Sequence, residues 1–519
     1  MASSPTPSAQ ELLAQAFRLH QSGQLTQAGA AYLKVIQVDP ANFDALHLLG
    51  LVARAQGDHV TAEQMIRKAL VIKPNYADAH YNLGNTLTDL GRMEEAIECY
   101  RDALRIEPRN VVNHYNIGNA LRALNRTPEA IVAYRTALAG KPEYVEAWHN
   151  LGTALRDEGA YADALIALRR AVALNPELAE AHYNLGLCLL AAGDLRVGFR
   201  EYEWRWQVAD FPSPKRNFSQ PRWNGEVLAG RTILLHAEQG MGDAIQFLRY
   251  APLVAERGGS VVVEVHRELA ELAATVPGVR HVIASGDPLP AFDVHCPLLS
   301  LPLVFGTDLR SIPAKIPYLS VSRARIDQWE KRLGPRLGLR VGLVWAGNPR
   351  HRNDRRRSIE LARLAPLAAA TGVTFFALQK GPAVEQASRP PAGMRLINLG
   401  PELNDMADTA AVLTGLDVLI CVDTAVGHLA GALGCQTWML LPKVSDWRWM
   451  TGGTSTPWYP SFLLFRQSEA GEWTTIMENA ARVLDTWARK TVARYQRDVG
   501  ANMAAPAKSL SGKPPSPTR

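Results

Sequence analysis

Two segments of the chain place side chains that can do chemistry directly after short apolar runs. In the first, Gly240, Gly242 and Asp243 follow the run TILLH at 232–236. The glycines allow a tight turn and leave room for a ligand, and a carboxylate in such a place can act as a general base. The alternative is that Asp243 only caps the helix that begins there, as aspartate often does.

The second segment is VDTAVGHLAGALG (422–434), which follows the most apolar run of the chain. Asp423 and Thr424 are favourable N-cap residues, and the backbone N–H groups after them form an anion site. His428 comes about one helical turn later and faces the same end. A packed, hydrogen-bonded histidine that binds no ligand is the alternative interpretation.

Two further loops offer positive charge and hydrogen-bond donors. The loop at 347–358 contains five arginines: Arg350, Arg352, Arg355, Arg356 and Arg357. Guanidinium groups are common partners of phosphates, although most of these arginines suit a solvated loop equally well. Gln379 and Lys380 follow the run VTFFAL (373–378) and could reach the same ligand. No metal-ligand spacing accompanies these loops, so we expect neither a metal nor another cofactor.

The elements that must position these residues are short β-branched runs that alternate with helical stretches. Nine such runs are predicted as strands: TILLH (232–236), SVVVEV (260–265), HVIAS (281–285), FDVHC (292–296), RVGLVWA (340–346), VTFFAL (373–378), RLINL (395–399), LDVLICV (416–422) and QTWMLL (436–441). The alternation predicts parallel, doubly wound sheets. A proline-containing segment divides the runs into two Rossmann-like domains, 230–335 and 336–488. The chemistry-bearing loops then meet in a cleft at the strands' carboxyl ends.

The first part of the chain has a repeating sequence pattern instead. Prolines recur every 34 residues, and so do glycines: Pro40, Pro74, Pro108, Pro142 and Pro176; Gly50, Gly84, Gly118, Gly152 and Gly186. This period, with its Leu-Gly, Ala, aromatic and Pro order, is the tetratricopeptide signature. It predicts an all-α solenoid of six repeats over 7–210, followed by a proline-rich junction at 211–229. The last unit carries Tyr202, Trp204 and Trp206, which favours docking onto the next domain.

A column of asparagines runs through the repeats. Asn82, Asn116, Asn150 and Asn184 precede successive Leu-Gly and Ile-Gly pairs. One amide offers both a donor and an acceptor to a peptide unit, so the column is a candidate peptide-binding line. Inheritance by repeat duplication is the alternative explanation.

Charge and cysteine content narrow the class of protein. The net charge of +6 comes from the residues after 488, which include seven Lys/Arg and one Asp. Residues 1–488 therefore have equal numbers of basic and acidic side chains, and no nucleic-acid partner is expected. Residues 500–519 are predicted to be a disordered basic tail. Five cysteines without C-x-x-C spacing favour reduced thiols. With no leader and no apolar run near 18 residues, we expect a cytoplasmic protein without a membrane span.

The turn Gly-Met-Gly-Asp after the first strand, together with DTAVGHLAGALG, resembles the heptosyltransferase-type glycosyltransferases of family nine. The resemblance covers residues 230–485, and bacterial proteins that join tetratricopeptide repeats to such a domain share NPRHRNDRRRS, LQKG, DWRW and PWYPS. It implies a GT-B fold of two Rossmann-like domains and metal-independent use of a nucleotide-sugar donor. It also implies that Asp243 is the general base, that Asp423, Thr424 and His428 hold the donor's diphosphate, and that Arg357 faces it.

The resemblance implies transfer of a sugar from a nucleotide-sugar to an acceptor, which we expect to be a protein presented by the repeats. The asparagine column is similar to asparagines that bind extended peptides in eukaryotic-type O-linked N-acetylglucosamine transferases. Family members specific for sugar nucleotides usually read Asp-Thr-Gly, and here Ala425 replaces the glycine. This departure favours one alternative, a non-catalytic repeat adaptor with a degenerate transferase domain. A transferase acting on a surface polysaccharide is the other. The sequence leaves the donor, the acceptor and the stereochemical outcome open.

Overall fold

The computed structural model describes residues 7–351 and 353–504, with the side chains described as far as residue 490. The chain divides into two compact units with a boundary between Cys188 and Leu189. In the described residues the first unit is helical, and the second contains two parallel sheets with helices between the strands. The predicted order of a helical repeat solenoid followed by an α/β region is confirmed.

The solenoid is built from antiparallel helix pairs. Its helices, α1 to α12, are Ala9–Gln21, Leu25–Val38, Phe43–Ala55, His59–Ile72, Ala77–Asp89, Met93–Ile106, Val111–Ala123, Thr127–Gly140, Val145–Asp157, Tyr161–Leu174, Ala179–Ala192 and Leu195–Tyr202. The last of them, α12, lies wholly in the second unit.

The glycine column of the sequence has a direct packing cause. A methyl group on Gly84 would lie 2.6 Å from Cε1 of Tyr100, and one on Gly118 would lie 2.5 Å from Cε1 of Tyr134. Real Cβ atoms do not approach carbon so closely. Each glycine therefore lets the large side chain 16 positions later press against the first helix of its own repeat. The glycine and the aromatic columns are two halves of one contact.

The second unit contains ten strands within the described residues. Strands β1 to β10 are Thr232–His236, Ser260–Val265, Val279–Ala284, Val294–Pro297, Leu339–Val344, Val373–Ala377, Leu396–Asn398, Val418–Val422, Thr437–Leu441 and Phe462–Arg466. The first sheet has the order β3-β2-β1-β4 and the second β10-β9-β8-β5-β6-β7, with every pair parallel. The central strands are buried along their whole length, as expected for parallel sheets covered on both faces.

Helices follow most strands, and Asp243 and His428 lie in the first turns of two of these helices. Helices α13 to α21 are Met241–Phe247, Ala251–Ala255, Ala270–Ala273, Leu301–Val304, Arg323–Leu333, Asp354–Arg357, Met406–Thr414, Ala425–Leu433 and Thr474–Ala504. The end of α21 overlaps the start of the predicted tail, and residues 505–519 lie outside the described part of the chain. Among the described residues, no helix is both long and apolar enough to cross a bilayer. The five cysteines are free thiols, and four are buried.

Candidate functional site

The two sequence motifs that carry carboxylates and hydroxyls lie side by side. Helix α13 follows β1 and begins with the Gly-Met-Gly-Asp turn, while α20 follows β8 and begins after Thr424. These helices pack against each other, and a methyl group on Gly242 would lie 2.8 Å from Cδ2 of His428. The space beside Gly242 is therefore occupied by this imidazole, and the absence of a side chain there sets how closely α13 and α20 approach.

Asp243 uses both of its carboxylate oxygens. Oδ2 accepts a hydrogen bond from the N–H of Gly240 at 2.9 Å, which caps the first turn of α13. Oδ1 accepts from the guanidinium of Arg448 in a close ion pair. Capping and ionic functions thus coexist, and the ion pair joins the carboxyl end of the first sheet to that of the second.

Arg448 is held in place from several sides. Its Nη1 donates to Asp446 at 2.8 Å, its Nε donates to Gln246 at 2.7 Å, and its guanidinium carbon lies 4.4 Å from the centroid of the Trp447 ring. Burial opposes the charge, but Asp446 and Asp243 raise the pKa of Arg448 above its ordinary value. No role is predicted for Arg448 from the sequence. The available signal was the run Asp-Trp-Arg-Trp at 446–449, shortly after the buried strand β9.

Asp423 and His428 are both shifted toward their uncharged forms. Burial, with repulsion from Asp446, raises the pKa of Asp423 to about 6. Burial, with the nearby positive charge of Arg448, lowers the pKa of His428 well below its ordinary value. The His428 Nε2 and Asp423 Oδ1 atoms are 3.9 Å apart, while Nδ1 lies 2.9 Å from the hydroxyl of Tyr459. His428 is therefore a neutral, packed imidazole beside a carboxyl group that titrates near neutral pH.

The hydroxyl group of Thr424 lies at the beginning of α20. The backbone of Thr424 is extended, in the N-cap conformation, but its side chain does not cap the helix. Its Oγ1 is buried and has no hydrogen-bond partner in the described part of the chain. The first N–H groups of a helix also lack intrahelical acceptors, and the helix dipole favours negative charge there. This end of α20 is suited to an anion.

Arg357 is the arginine of the 347–358 loop that is directed toward this region. Its side chain is 16% exposed, and its Nε donates weakly to Asp354 at 3.4 Å. Its charge opposes the rise that burial causes in the pKa of Asp423, and it adds to the burial that lowers the pKa of His428. Arg350, Arg355 and Arg356 are exposed, as a solvated loop predicts, and Arg352 lies outside the described residues.

Gln379 and Lys380 are engaged elsewhere. The Gln379 side-chain oxygen accepts from the N–H groups of Trp345 and Ala346 at 3.0 and 2.9 Å, and its Nε2 donates to the Ala346 and Lys380 carbonyls. Lys380 Nζ donates to the carbonyls of Gly400 and Leu403 at 3.1 and 2.7 Å. Both side chains fix loops at the edge of the second sheet.

A buried ion network anchors the loop that carries Asp243. Arg205, which follows α12, is fully buried and donates to both carboxylate oxygens of Glu238, at 3.2 and 2.7 Å. It also donates to Glu203 at 2.6 Å and to Ser300 at 2.9 Å. The next residue of the loop, Gln239, has a φ of 60° and donates to the hydroxyl of Tyr202 at 2.7 Å. The end of the last repeat therefore holds the start of the candidate catalytic loop.

In the first unit the asparagine column forms a ladder between neighbouring repeats. The Nδ2 group of each asparagine meets a side chain 35 or 31 positions earlier: Asn82 with His47, Asn116 with Asn85, Asn150 with Tyr115 and Asn119, and Asn184 with His149 and Thr153. The donors of the column are thus used between repeats. The Oδ1 of Asn184 also accepts from Arg156 at 2.5 Å.

Comparison with known proteins identifies the repeats. Models described as tetratricopeptide repeat match residues 77–110, 115–179 and 164–196, and one described as TPR repeat matches residues 18–57. The chain therefore contains tetratricopeptide repeats, as its 34-residue period predicts.

The chain is similar to several proteins over part of its length. Protein FlbA of Caulobacter vibrioides is 28% identical over 326 residues, which are 58% of this chain and 54% of that protein, so the chain spans about half the length of this relative. A solved structure of MamA from Desulfovibrio magneticus RS-1 is 18% identical, with 34% of this chain and 99% of that chain covered and a TM-score of 0.32. The structure of YrrB, described as a TPR protein with an unusual peptide-binding site, is 22% identical, with 34% and 90% covered and a TM-score of 0.32.

Proposed function

We propose that the second unit is a metal-independent glycosyltransferase of the GT-B type and that the tetratricopeptide repeats present its protein acceptor. The observation that carries the proposal is the meeting of Asp243 from the first sheet with the anion-suited start of α20 from the second. A carboxylate base and a diphosphate seat on opposite sides of one site are what sugar transfer from a nucleotide donor requires.

The donor's diphosphate would bind at the N-terminus of α20. The buried hydroxyl of Thr424 and the free N–H groups that follow it would donate to phosphate oxygens. Arg357 would add positive charge, and below pH 6 protonation of Asp423 removes a negative charge from the same seat. These groups would stabilise the charge that develops on the leaving nucleoside diphosphate without a metal ion.

Asp243 would act on the acceptor. As an acceptor hydroxyl oxygen attacks the anomeric carbon, its proton would pass to the Asp243 carboxylate while the bond from the anomeric carbon to the phosphate oxygen breaks. The diphosphate would leave with the bonding electrons. Because Asp243 is paired with Arg448, this step requires Arg448 to move toward the phosphates and release the carboxylate when the donor binds.

The experiment compares the full-length protein with Asp243→Asn and Thr424→Val. Each protein would be incubated with a panel of sugar nucleotides and an acceptor lysate, and release of nucleoside diphosphate and mass shifts of proteins would be measured. We expect turnover in the wild type, loss of turnover with retained donor binding in Asp243→Asn, and about tenfold weaker donor binding in Thr424→Val. A wild-type protein that neither binds nor turns over any donor at millimolar concentration would refute the proposal.

A second candidate function is a repeat adaptor whose α/β unit has lost catalysis. It is favoured by one observation: both oxygens of Asp243 are already occupied, by Gly240 and by Arg448. With both oxygens engaged, neither is free to take the proton of an acceptor hydroxyl. This function predicts that proteins are captured equally well by the wild type and by Asp243→Asn, while neither variant turns over a sugar nucleotide.

A further inference from the structure

Near the end of the first helix, one position of the repeat is occupied by Arg54, Arg122 and Arg156, with Thr88 in the repeat between the first two. These arginines differ in how they are paired. Arg54 donates to Asp89, 35 positions later in the next repeat, at 2.6 Å. Asp157 stands at the same spacing from Arg122, but it is engaged by Arg156 at 2.9 Å. Arg122 therefore lacks the partner that repeat geometry would supply.

Among the described residues, one nitrogen of the Arg122 guanidinium also has no hydrogen-bond acceptor. Within the described residues Arg122 forms no ion pair, and its Nη1 is buried and has no hydrogen-bond partner. An unpaired, partly buried guanidinium is costly, since burial removes water without supplying an anion. The charge of Arg122 also acts on His149. Burial, followed by this charge, lowers the pKa of His149 to about 4.

The neighbouring side chains define the surface on which Arg122 lies. Tyr115, Asn119 and Arg122 are spaced by four and three residues along α7 and so share one helix face. Tyr115 and Asn119 accept hydrogen bonds from Asn150 of the next repeat, at 3.0 and 2.8 Å. Arg122 thus adjoins the asparagine ladder, and the donors of the ladder nearest to it are already used.

We propose that Arg122 is an anion seat of the repeat surface and that it selects an acidic side chain, Asp or Glu, in the protein segment bound there. The guanidinium supplies planar donors and a charge that no described carboxylate neutralises, and a carboxylate matches both. The inference rests on that part of the proposed function in which the repeats hold a protein acceptor, and it names the chemistry of that acceptor segment.

The test uses the full-length protein and needs no sugar nucleotide, so a silent catalytic site leaves it unaffected. Fluorescently labelled protein would be applied to an array of nine-residue peptides, acetylated and amidated, in which Asp or its isostere Asn is placed at each position. We expect binding about tenfold stronger for Asp at one register, and we expect Arg122→Gln to lose this preference. Arg122→Lys should keep part of it, and 0.5 M NaCl should weaken it.

Arg54→Gln is the matched control, because Arg54 occupies the same position of the repeat and is already paired. Melting curves would verify that each variant is folded. A wild-type preference for Asp that is lost only in the Arg122 variants supports the proposal. The absence of binding, the absence of a preference, or a preference that survives Arg122→Gln would overturn it. A preference confined to peptides with a free carboxyl terminus, or competition by RNA alone, would overturn the assignment to an acidic side chain.

Discussion

Replacement of Arg205 by methionine gives a sharp test of the network that holds the candidate catalytic loop. Arg205 and Glu238 have side chains that are 0% and 2% exposed, and together they form a bidentate pair. Methionine is long and unbranched, so it fills much of the vacated volume. Glu203 keeps Arg222 as a partner, and the uncompensated buried charge falls on Glu238. Breaking such a pair from one side costs about 3–5 kcal/mol.

The cost should depend on pH in a defined direction. Burial already raises the pKa of Glu238 while Arg205 is present, and without Arg205 this pKa rises further. A carboxyl group whose folded pKa exceeds its unfolded pKa is stabilising below the unfolded value and loses that contribution as pH rises through the folded value. Arg205→Met should therefore be strongly destabilised at pH 8 and only mildly at pH 5.

Tryptophan fluorescence can follow this unit in the full-length protein, because only Trp148 among the twelve tryptophans precedes residue 189. We expect the melting temperature at pH 8 to fall by about 6–10 °C, at roughly 2 °C per kcal/mol for a unit of this size. The double variant Arg205→Met/Glu238→Gln removes the buried charge and should recover at least half of the loss. An equal loss at pH 5 and pH 8, or a double variant no more stable than the single one, would refute the reasoning.

Three further predictions concern single side chains. His149→Tyr should flatten the acid sensitivity of the repeats: because the pKa of His149 is lowered to about 4, wild-type stability should fall by about 1–3 kcal/mol as pH drops from 6.5 toward 4, which circular-dichroism melts at pH 7 and pH 4.5 would measure. Asn113→Ala should stabilise the protein by about 1 kcal/mol in urea unfolding, since both polar atoms of this buried amide lack partners among the described residues; a loss of stability would contradict this. Gly242→Ala should cost about 1–3 kcal/mol because its methyl meets His428 at 2.8 Å, whereas Gly240→Ala meets only Asp243 Oδ2 at 3.2 Å and should cost less in the same assay.

The periodic features of this fold could be predicted from the sequence because many weak local signals recur at one spacing. The 34-residue pattern, repeated six times, predicts the solenoid. The nine apolar runs predict all of the described strands but one. Strand β10, Phe462–Arg466, was missed. It is a short edge strand with no β-branched residue, and it follows a segment rich in proline and aromatic residues.

The contacts within the candidate site could not be predicted, because they join residues far apart in the chain. Asp243 and Arg448 are 205 positions apart, and Arg205 and Glu238 are 33 apart but belong to different elements. The sequence identified Asp243, Asp423, Thr424 and His428 as neighbours of strand ends. It contained no signal that both Asp243 oxygens would be engaged.

The ladder of hydrogen bonds between repeats could be predicted only in part from the sequence. Side chains 35 and 31 positions apart fall on adjacent turns of neighbouring first helices, so the period of 34 alone allows a contact such as that of Asn150 with Tyr115. Its hydrogen-bond directions depend on the partner at each step. The partner is an imidazole for Asn82 and Asn184 and a phenol or amide for Asn116 and Asn150. The ladder is therefore indicated by the residue types 35 and 31 positions before each asparagine, and not by the asparagines alone.

The membership of α12 in the second unit determines where this protein can be divided. Phe199, Tyr202 and Arg205 are at most 2% exposed, and all three precede the proline-rich segment at which the sequence suggests a cut. A fragment starting at residue 211 would lose these side chains and leave Glu238 charged without its partner. A fragment starting at Leu189 would keep them. For exchange of repeat arrays between proteins, in the laboratory or in evolution, the natural crossover point is therefore inside the last repeat and not at the proline-rich segment.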